Sequence, residues 1–141
     1  MNLDQLYRSL IMDHAKNPHH KGLKGYPSCH LRNPSCGDDI TIEARIEGQH
    51  VCEVNHDGHG CSICCASASV LCELTSGKSI QEVHQIINEY YKMIRGETSF
   101  QEELLEDALA FHGVSQFPAR TKCATISWKA LEELLGESHE Q

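Results

Sequence analysis

Asp39-Ile40-Thr41-Ile42-Glu43-Ala44-Arg45-Ile46-Glu47, then Gly48-Gln49, then His50-Val51-Cys52-Glu53-Val54-Asn55-His56, is the stretch that decides the fold class. Ile40, Ile42, Ala44 and Ile46 fall on one side; Thr41, Glu43, Arg45 and Glu47 fall on the other. A period of two predicts a half-buried antiparallel strand over 39–47. Gly48-Gln49 can turn the chain, so 50–56 returns as a second strand with Cys52 and Val54 on one face. Asp57-Gly58-His59-Gly60 has no regular preference and reads as loop. From Ser62 the period becomes helical. The small Ala66, Ser67, Ala68 and Ser69 let this helix approach a neighbour closely, and Gly77 stops it. Ser79 with Glu82 forms a capping box for a helix bearing Ile80, Val83, Ile87, Tyr90 and Ile94, ended by Gly96. Ser99 with Glu102 repeats the signal before a shorter helix bearing Phe100, Leu104, Leu105, Ala108 and Leu109. Pro118 suits the first position of a last helix, which carries Ile126, Trp128, Leu131 and Leu135 and stops at Gly136.

Upstream, Leu3, Leu6, Tyr7, Leu10 and Ile11 mark an amphipathic helix over 3–16, halted by Asn17-Pro18. Residues 19–38 carry Gly22, Gly25, Pro27, Pro34 and Gly37, so this is loop with a short strand around 28–32. The order predicts an α+β fold: a small antiparallel β-sheet of about three strands packed against a cluster of helices. At 141 residues the chain is expected to form a single domain, 1–141.

The formal charge is −8. Nucleic-acid binding calls for clustered Lys and Arg, so the acidic balance argues against it. No apolar run approaches ~18 residues, which argues against a membrane span. Met1-Asn2-Leu3-Asp4 lacks the basic start and apolar stretch of a signal peptide, so a cytoplasmic protein is expected. Residues 1–37 hold five basic side chains (Arg8, Lys16, Lys21, Lys24, Arg32) against Asp4 and Asp13, so the remainder carries −11. Such a basic head on an acidic body can meet a partner of complementary charge, or can be ordinary solvated surface.

Eight cysteines are many for pure packing. In a reducing compartment they stay thiols, so metal or sulfur chemistry is the first reading. Cys36 lies in the turn Asn33-Pro34-Ser35-Cys36-Gly37-Asp38, with Asp38 two residues on. Cys61 lies where a strand gives way to a helix, where free N–H groups favour a thiolate. Cys123 lies early in the last helix beside Arg120 and Lys122, an electropositive setting. Three thiolates and one carboxylate make a four-ligand zinc set. The spacing is long, 23 residues from Asp38 to Cys61 and 62 from Cys61 to Cys123, so buried free thiols remain an alternative at this point.

Cys61-Ser62-Ile63-Cys64 is a lone C-x-x-C, with no second pair for a zinc ribbon and no parallel redox unit around it. Cys65 and Cys72 share a helix face and read as packing, as do Cys29 and Cys52 in strands. His56 and His59 are local candidates for a metal ligand, with His112 behind them; His19-His20 read as loop surface. No phosphate loop, nucleophile elbow or H-E-x-x-H motif occurs.

Four blocks, in order along nearly the whole chain, carry a family resemblance. They are Leu6-Tyr7 with Ile11-Met12-Asp13-His14 and Asn17-Pro18; Asn33-Pro34-Ser35-Cys36-Gly37-Asp38; Gly60-Cys61-Ser62-Ile63 with Ala66-Ser67-Ala68-Ser69; and Gly113-Val114-Ser115-Gln116-Phe117-Pro118-Ala119-Arg120 with Lys122-Cys123-Ala124-Thr125. The chain resembles the SufU proteins of the IscU/NifU-like iron–sulfur assembly superfamily.

The resemblance implies a SufE/NifU-like, IscU-type fold and a metal site of Cys36, Asp38, Cys61 and Cys123. It implies a Zn(2+) cofactor and sulfur acceptance from a PLP-dependent cysteine desulfurase (SufS-like). A cluster-assembly scaffold (SufB-like) would lie downstream. Cys36, on a loop that can swing, would accept the sulfur, with Arg120 steadying the freed thiolate or persulfide; the plain alternative for Arg120 is a surface ion pair. Another reading of the same ligands is a scaffold on which iron–sulfur clusters are built, holding iron or a cluster. Lys122 stands where IscU-type scaffolds have histidine, Leu-Pro-Pro-Val-Lys is absent, and a longer insert spans roughly 96–115. These features favour the sulfurtransferase reading. Cys64-Cys65 depart from the usual SufU residues. A third reading, a structural zinc module that docks partners, fits poorly with a mobile Cys36 loop.

Overall fold

The computed structural model describes residues 2–140 in backbone and 2–136 in side chain. Four strands form one antiparallel meander in the order β1-β2-β3-β4: β1 Ser28–Asn33, β2 Asp38–Glu47, β3 His50–His59 and β4 Lys78–Ser79. Four α-helices accompany it: α1 Leu3–Lys16, α2 Ser62–Thr75, α3 Ile80–Ile94 and α4 Pro118–Glu140. Two 3-10 segments, Glu102–Leu104 and Glu106–Gln116, bridge α3 and α4.

The α+β architecture holds, and the differences have local causes. The sheet gains β4 because the chain leaving α2 at Gly77 runs beside the start of β3, pairing His50 with Ser79 and Val51 with Lys78. Asp57–His59 is strand, not loop, because these residues continue the ladder opposite Asp39–Thr41. A bulge between Arg45 and Ile46 shifts the register, so Val51 and Val54 enter the core while Cys52 stays partly exposed, its thiol donating to Glu47 Oε2 at 3.5 Å.

Strand alternation places Glu43 toward solvent, yet it is 1% exposed. The segment 24–27 folds over that face: the N–H groups of Lys24, Gly25 and Tyr26 donate to its carboxylate, as does Asn55 Nδ2 at 2.7 Å.

The Ser79–Glu82 capping box forms on α3 as expected. The Ser99–Glu102 signal does not open an α-helix. The buried Glu89 captures the Gln101 N–H at 2.7 Å, and the chain tightens into 3-10 turns instead. Gly136 does not stop α4, which continues to Glu140. On α1, Leu10 and Ile11 are partly buried and His14 is buried, while Leu3 and Leu6 remain exposed. The contacts that hold this helix gather at its C-terminal end.

The core lies between the inner sheet face (Ile40, Ile42, Ala44, Val51, Val54) and the helices. Its centre is aromatic: Tyr90 stacks on Trp128 at 3.6 Å and meets Phe111 edge-on at 6.3 Å. Ser67 carries the polar part, accepting from Trp128 Nε1 at 2.8 Å and donating to the Ala124 carbonyl at 2.7 Å. The small residues of α2 permit this close approach, and they fix α4 one residue after Cys123. Among the described residues, no helix is long and apolar enough to cross a membrane.

Candidate metal centre

The β1–β2 hairpin tip supplies two of the expected ligands. Asn33 and Asp38 face each other across the ladder, and the turn between them is closed by Cys36 N–H donating to the Asn33 carbonyl at 3.2 Å. Gly37 takes φ 72°, a conformation side chains rarely adopt, and this lets so tight a turn hold Cys36 beside Asp38. Cys61 is the N-cap of α2 and Cys123 lies in the second turn of α4. Residues far apart in sequence thus meet because the hairpin tip, the head of α2 and the head of α4 converge.

Cys36, Asp38 and Cys123 place their ligand atoms within 4.8 Å of one another. Cys61 stands just outside that trio, close enough to Cys123 to raise its thiol pKa. Its backbone N–H donates to Asp38 Oδ1 at 3.0 Å. Asn33 Nδ2 donates to Asp38 Oδ2 at 3.2 Å and approaches Cys123 Sγ at 3.8 Å. Sequence reasoning missed Asn33, whose only signal is its place at the head of the Pro34 turn. It also missed the reason for Gly60: a Cβ there would sit 2.5 Å from Asp38 Oδ1.

Cys123 and Asp38 are buried; Cys36 and Cys61 are partly exposed. The electropositive setting expected for Cys123 does not prevail. Burial pushes its thiol pKa up, and the adjoining Asp38, Cys36 and Cys61 push it further. Arg120 lies near Cys123, Cys61 and Cys36, and these thiols together raise the guanidinium pKa above its ordinary value. One arginine cannot balance three thiolates and a carboxylate. A dication with an affinity for sulfur offsets two more of those four charges, and the donor set fits zinc.

Cys64 and Cys72 are fully buried. Burial raises the Cys64 thiol pKa, and the nearby Asp38 charge adds to the rise. Cys65 donates to the Gly60 carbonyl at 3.6 Å and Cys29 to Glu133 Oε2 at 3.0 Å. His56 is buried, its Nε2 2.9 Å from the His19 carbonyl; His59 and His112 are exposed. None of these three histidines belongs to a metal-competent cluster among the described residues. Beside the hairpin tip, Arg32, Lys122 and Lys129 line an open groove of about 290 Å³. Of the basic side chains in 1–37, Arg32 is the one that reaches it.

An antiparallel sheet backed by helices, with thiols and a carboxylate gathered where a hairpin tip meets two helix heads, is an α+β fold carrying a candidate metal centre. The chain belongs to the IscU/NifU-like family: the model of the NifU-like N terminal domain matches residues 6–124. It is 44% identical over 133 residues to the zinc-dependent sulfurtransferase SufU of Bacillus subtilis, covering 94% of this chain and 90% of the relative. It is 34% identical over 137 residues to the iron–sulfur cluster assembly scaffold protein IscU of Streptococcus pyogenes, covering 96% and 86%. The crystal structure of a candidate iron–sulfur cluster assembly scaffold protein for the SUF system from Fervidobacterium islandicum superposes with TM-score 0.83 at 32% identity, covering 95% of this chain and 99% of that one.

Proposed function

We propose that this protein is a zinc-dependent sulfurtransferase of iron–sulfur cluster assembly, with Cys36, Asp38, Cys61 and Cys123 as metal ligands. It takes persulfide sulfur from a PLP-dependent cysteine desulfurase (SufS-like) and passes it to a downstream assembly scaffold (SufB-like). The observation that carries this reading is the placing of a partly exposed Cys36 on a hairpin tip against buried Cys123 and Asp38, with Arg120 beside the thiols. Zinc, when bound, keeps such thiols deprotonated at neutral pH.

Cys36 is the acceptor. It sits on the hairpin turn, with a long thiol contact of 4.0 Å to the Ala119 carbonyl and its sulfur within 4.8 Å of Cys123 Sγ, whereas Cys61 and Cys123 are fixed to helices. Its sulfur attacks the outer sulfur of the donor persulfide. The donor's S–S bond breaks, the donor cysteine leaves as a thiolate, and the outer sulfur with its proton stays on Cys36. The Arg120 guanidinium balances the negative charge that develops beside it. Asn33 and the Cys61 N–H hold the Asp38 carboxylate in place while Cys36 moves.

The test is to mix untagged protein with its desulfurase and cysteine, then map added sulfur by mass spectrometry. One extra sulfur on Cys36 and faster desulfurase turnover are expected. Full stimulation by Cys36→Ala would sink the reading. A stable iron–sulfur cluster on the purified protein, transferable to apoproteins, would favour the scaffold alternative.

A further inference from the structure

Away from the thiols, four chain segments converge at the C-terminal end of α1. His14 of α1, His19 of the following loop and Glu73 of α2 each put one ligand atom within 4.8 Å of the others. The His14 ring is buried, with Nδ1 2.8 Å from Ser69 Oγ and Nε2 3.4 Å from Asp107 Oδ2 of the second 3-10 segment. His19 Nδ1 lies 2.7 Å from Glu73 Oε2, and the His19 backbone N–H donates to the same Ser69 Oγ at 2.7 Å. Glu73 and Asp107 both line a small cavity of about 100 Å³.

We propose that His14, His19 and Glu73, with Asp107 beside them, form a second cation site for a divalent transition ion of the zinc type, sharing no donor with the thiol centre. Two imidazoles and a carboxylate suit zinc and its first-row neighbours better than magnesium or calcium, which prefer all-oxygen sets. The surroundings are those of a ligating histidine. Ser69 engages Nδ1 of His14 and so turns Nε2 toward Asp107, which is how an outer hydrogen bond fixes tautomer and ring.

Two of the separations are near what a tetrahedral ion needs, while Asp107 stands outside the trio and would have to move in. Donors bound at ~2.0–2.1 Å stand ~3.3 Å apart. The His14–Asp107 separation of 3.4 Å already matches. The His19–Glu73 pair, at 2.7 Å, must open by ~0.6 Å. His19, Glu73 and Asp107 are each about half exposed, so an ion can enter without unfolding the helix. Once bound it would fasten α1 and the loop after it to α2 and the 3-10 segment.

The test is a Co(2+) titration of reduced, metal-free, untagged protein. Thiolate-bound cobalt shows intense near-ultraviolet charge transfer; cobalt on nitrogen and oxygen shows only weak visible bands. The expected result is one equivalent of the first kind and a further equivalent of the second kind. His19→Ala and Glu73→Gln, both exposed changes, keep the first and weaken the second by ~10-fold or more. Cys36→Ala alters the first and spares the second, which separates this proposal from the sulfur-transfer reading. No second equivalent in the unaltered protein, or a second equivalent undiminished in both variants, overturns it.

Discussion

Glu43 shows how much one buried carboxylate can organise. Burial opposes its ionisation, yet the hydrogen bonds from Asn55 and from the Lys24, Tyr26 and Gly25 backbones outweigh that and hold its pKa below the ordinary 4.5. Its contribution to stability is therefore complete above the unfolded value and is lost as pH falls through the lower folded value. Glu43→Gln removes a charged acceptor and is expected to cost about 1–3 kcal/mol near neutral pH. Urea midpoints across a pH series will show the gap between the two proteins closing as the solution is acidified below about 4.5. Strand alternation could not reveal this residue as buried, because the cover comes from a glycine-bearing loop whose path tertiary contacts decide. Cys36, Asp38 and Cys61 were legible for the opposite reason: each sits at a turn or junction that local residues specify. Cys123 stands out as well, beside Arg120 and Lys122 early in the last helix; that the four share one site is left open by their long spacing and rests on the likeness of whole sequence blocks.

Among elements, the 3-10 run Glu106–Gln116 carries more of the core than its irregular form suggests. Ala108, Ala110, Phe111 and Val114 are all buried, and Phe111 meets Tyr90 edge-on. Phe111→Ala is expected to destabilise by about 3–5 kcal/mol, while the exposed Glu103→Ala changes little. Chemical denaturation midpoints will separate the two. The same stretch marks where helix signals misled. Ser79 and Glu82 capped a helix because nothing competed for their partners. At Ser99–Glu102 the Glu89 carboxylate took the Gln101 N–H first, a contact twelve residues away that a local motif does not contain. The two-residue β4 and the bulge after Arg45 escaped notice likewise, since both depend on pairing rather than propensity.

At the scale of the whole molecule, the thiol centre is where sheet and helices are joined. A metal held there would couple its binding to the packing of the hairpin tip and the heads of α2 and α4. At free zinc about 100 times Kd the stabilisation is about 2.7 kcal/mol. Chelation is therefore expected to lower the melting temperature. Amide exchange should speed up over 33–38, 61–65 and 119–124, with α3 scarcely affected. Uniform exchange with and without chelator would show the centre to be energetically separate from the fold.

The depth of the ligands has one more consequence. Cys36, Cys61 and Arg120 reach solvent, while Cys123 and Asp38 do not. In the proposed chemistry, cargo loads and unloads through the same doorway. Donor and recipient must then take turns at it, so the protein works as a ferry between two berths rather than as a bridge touching both.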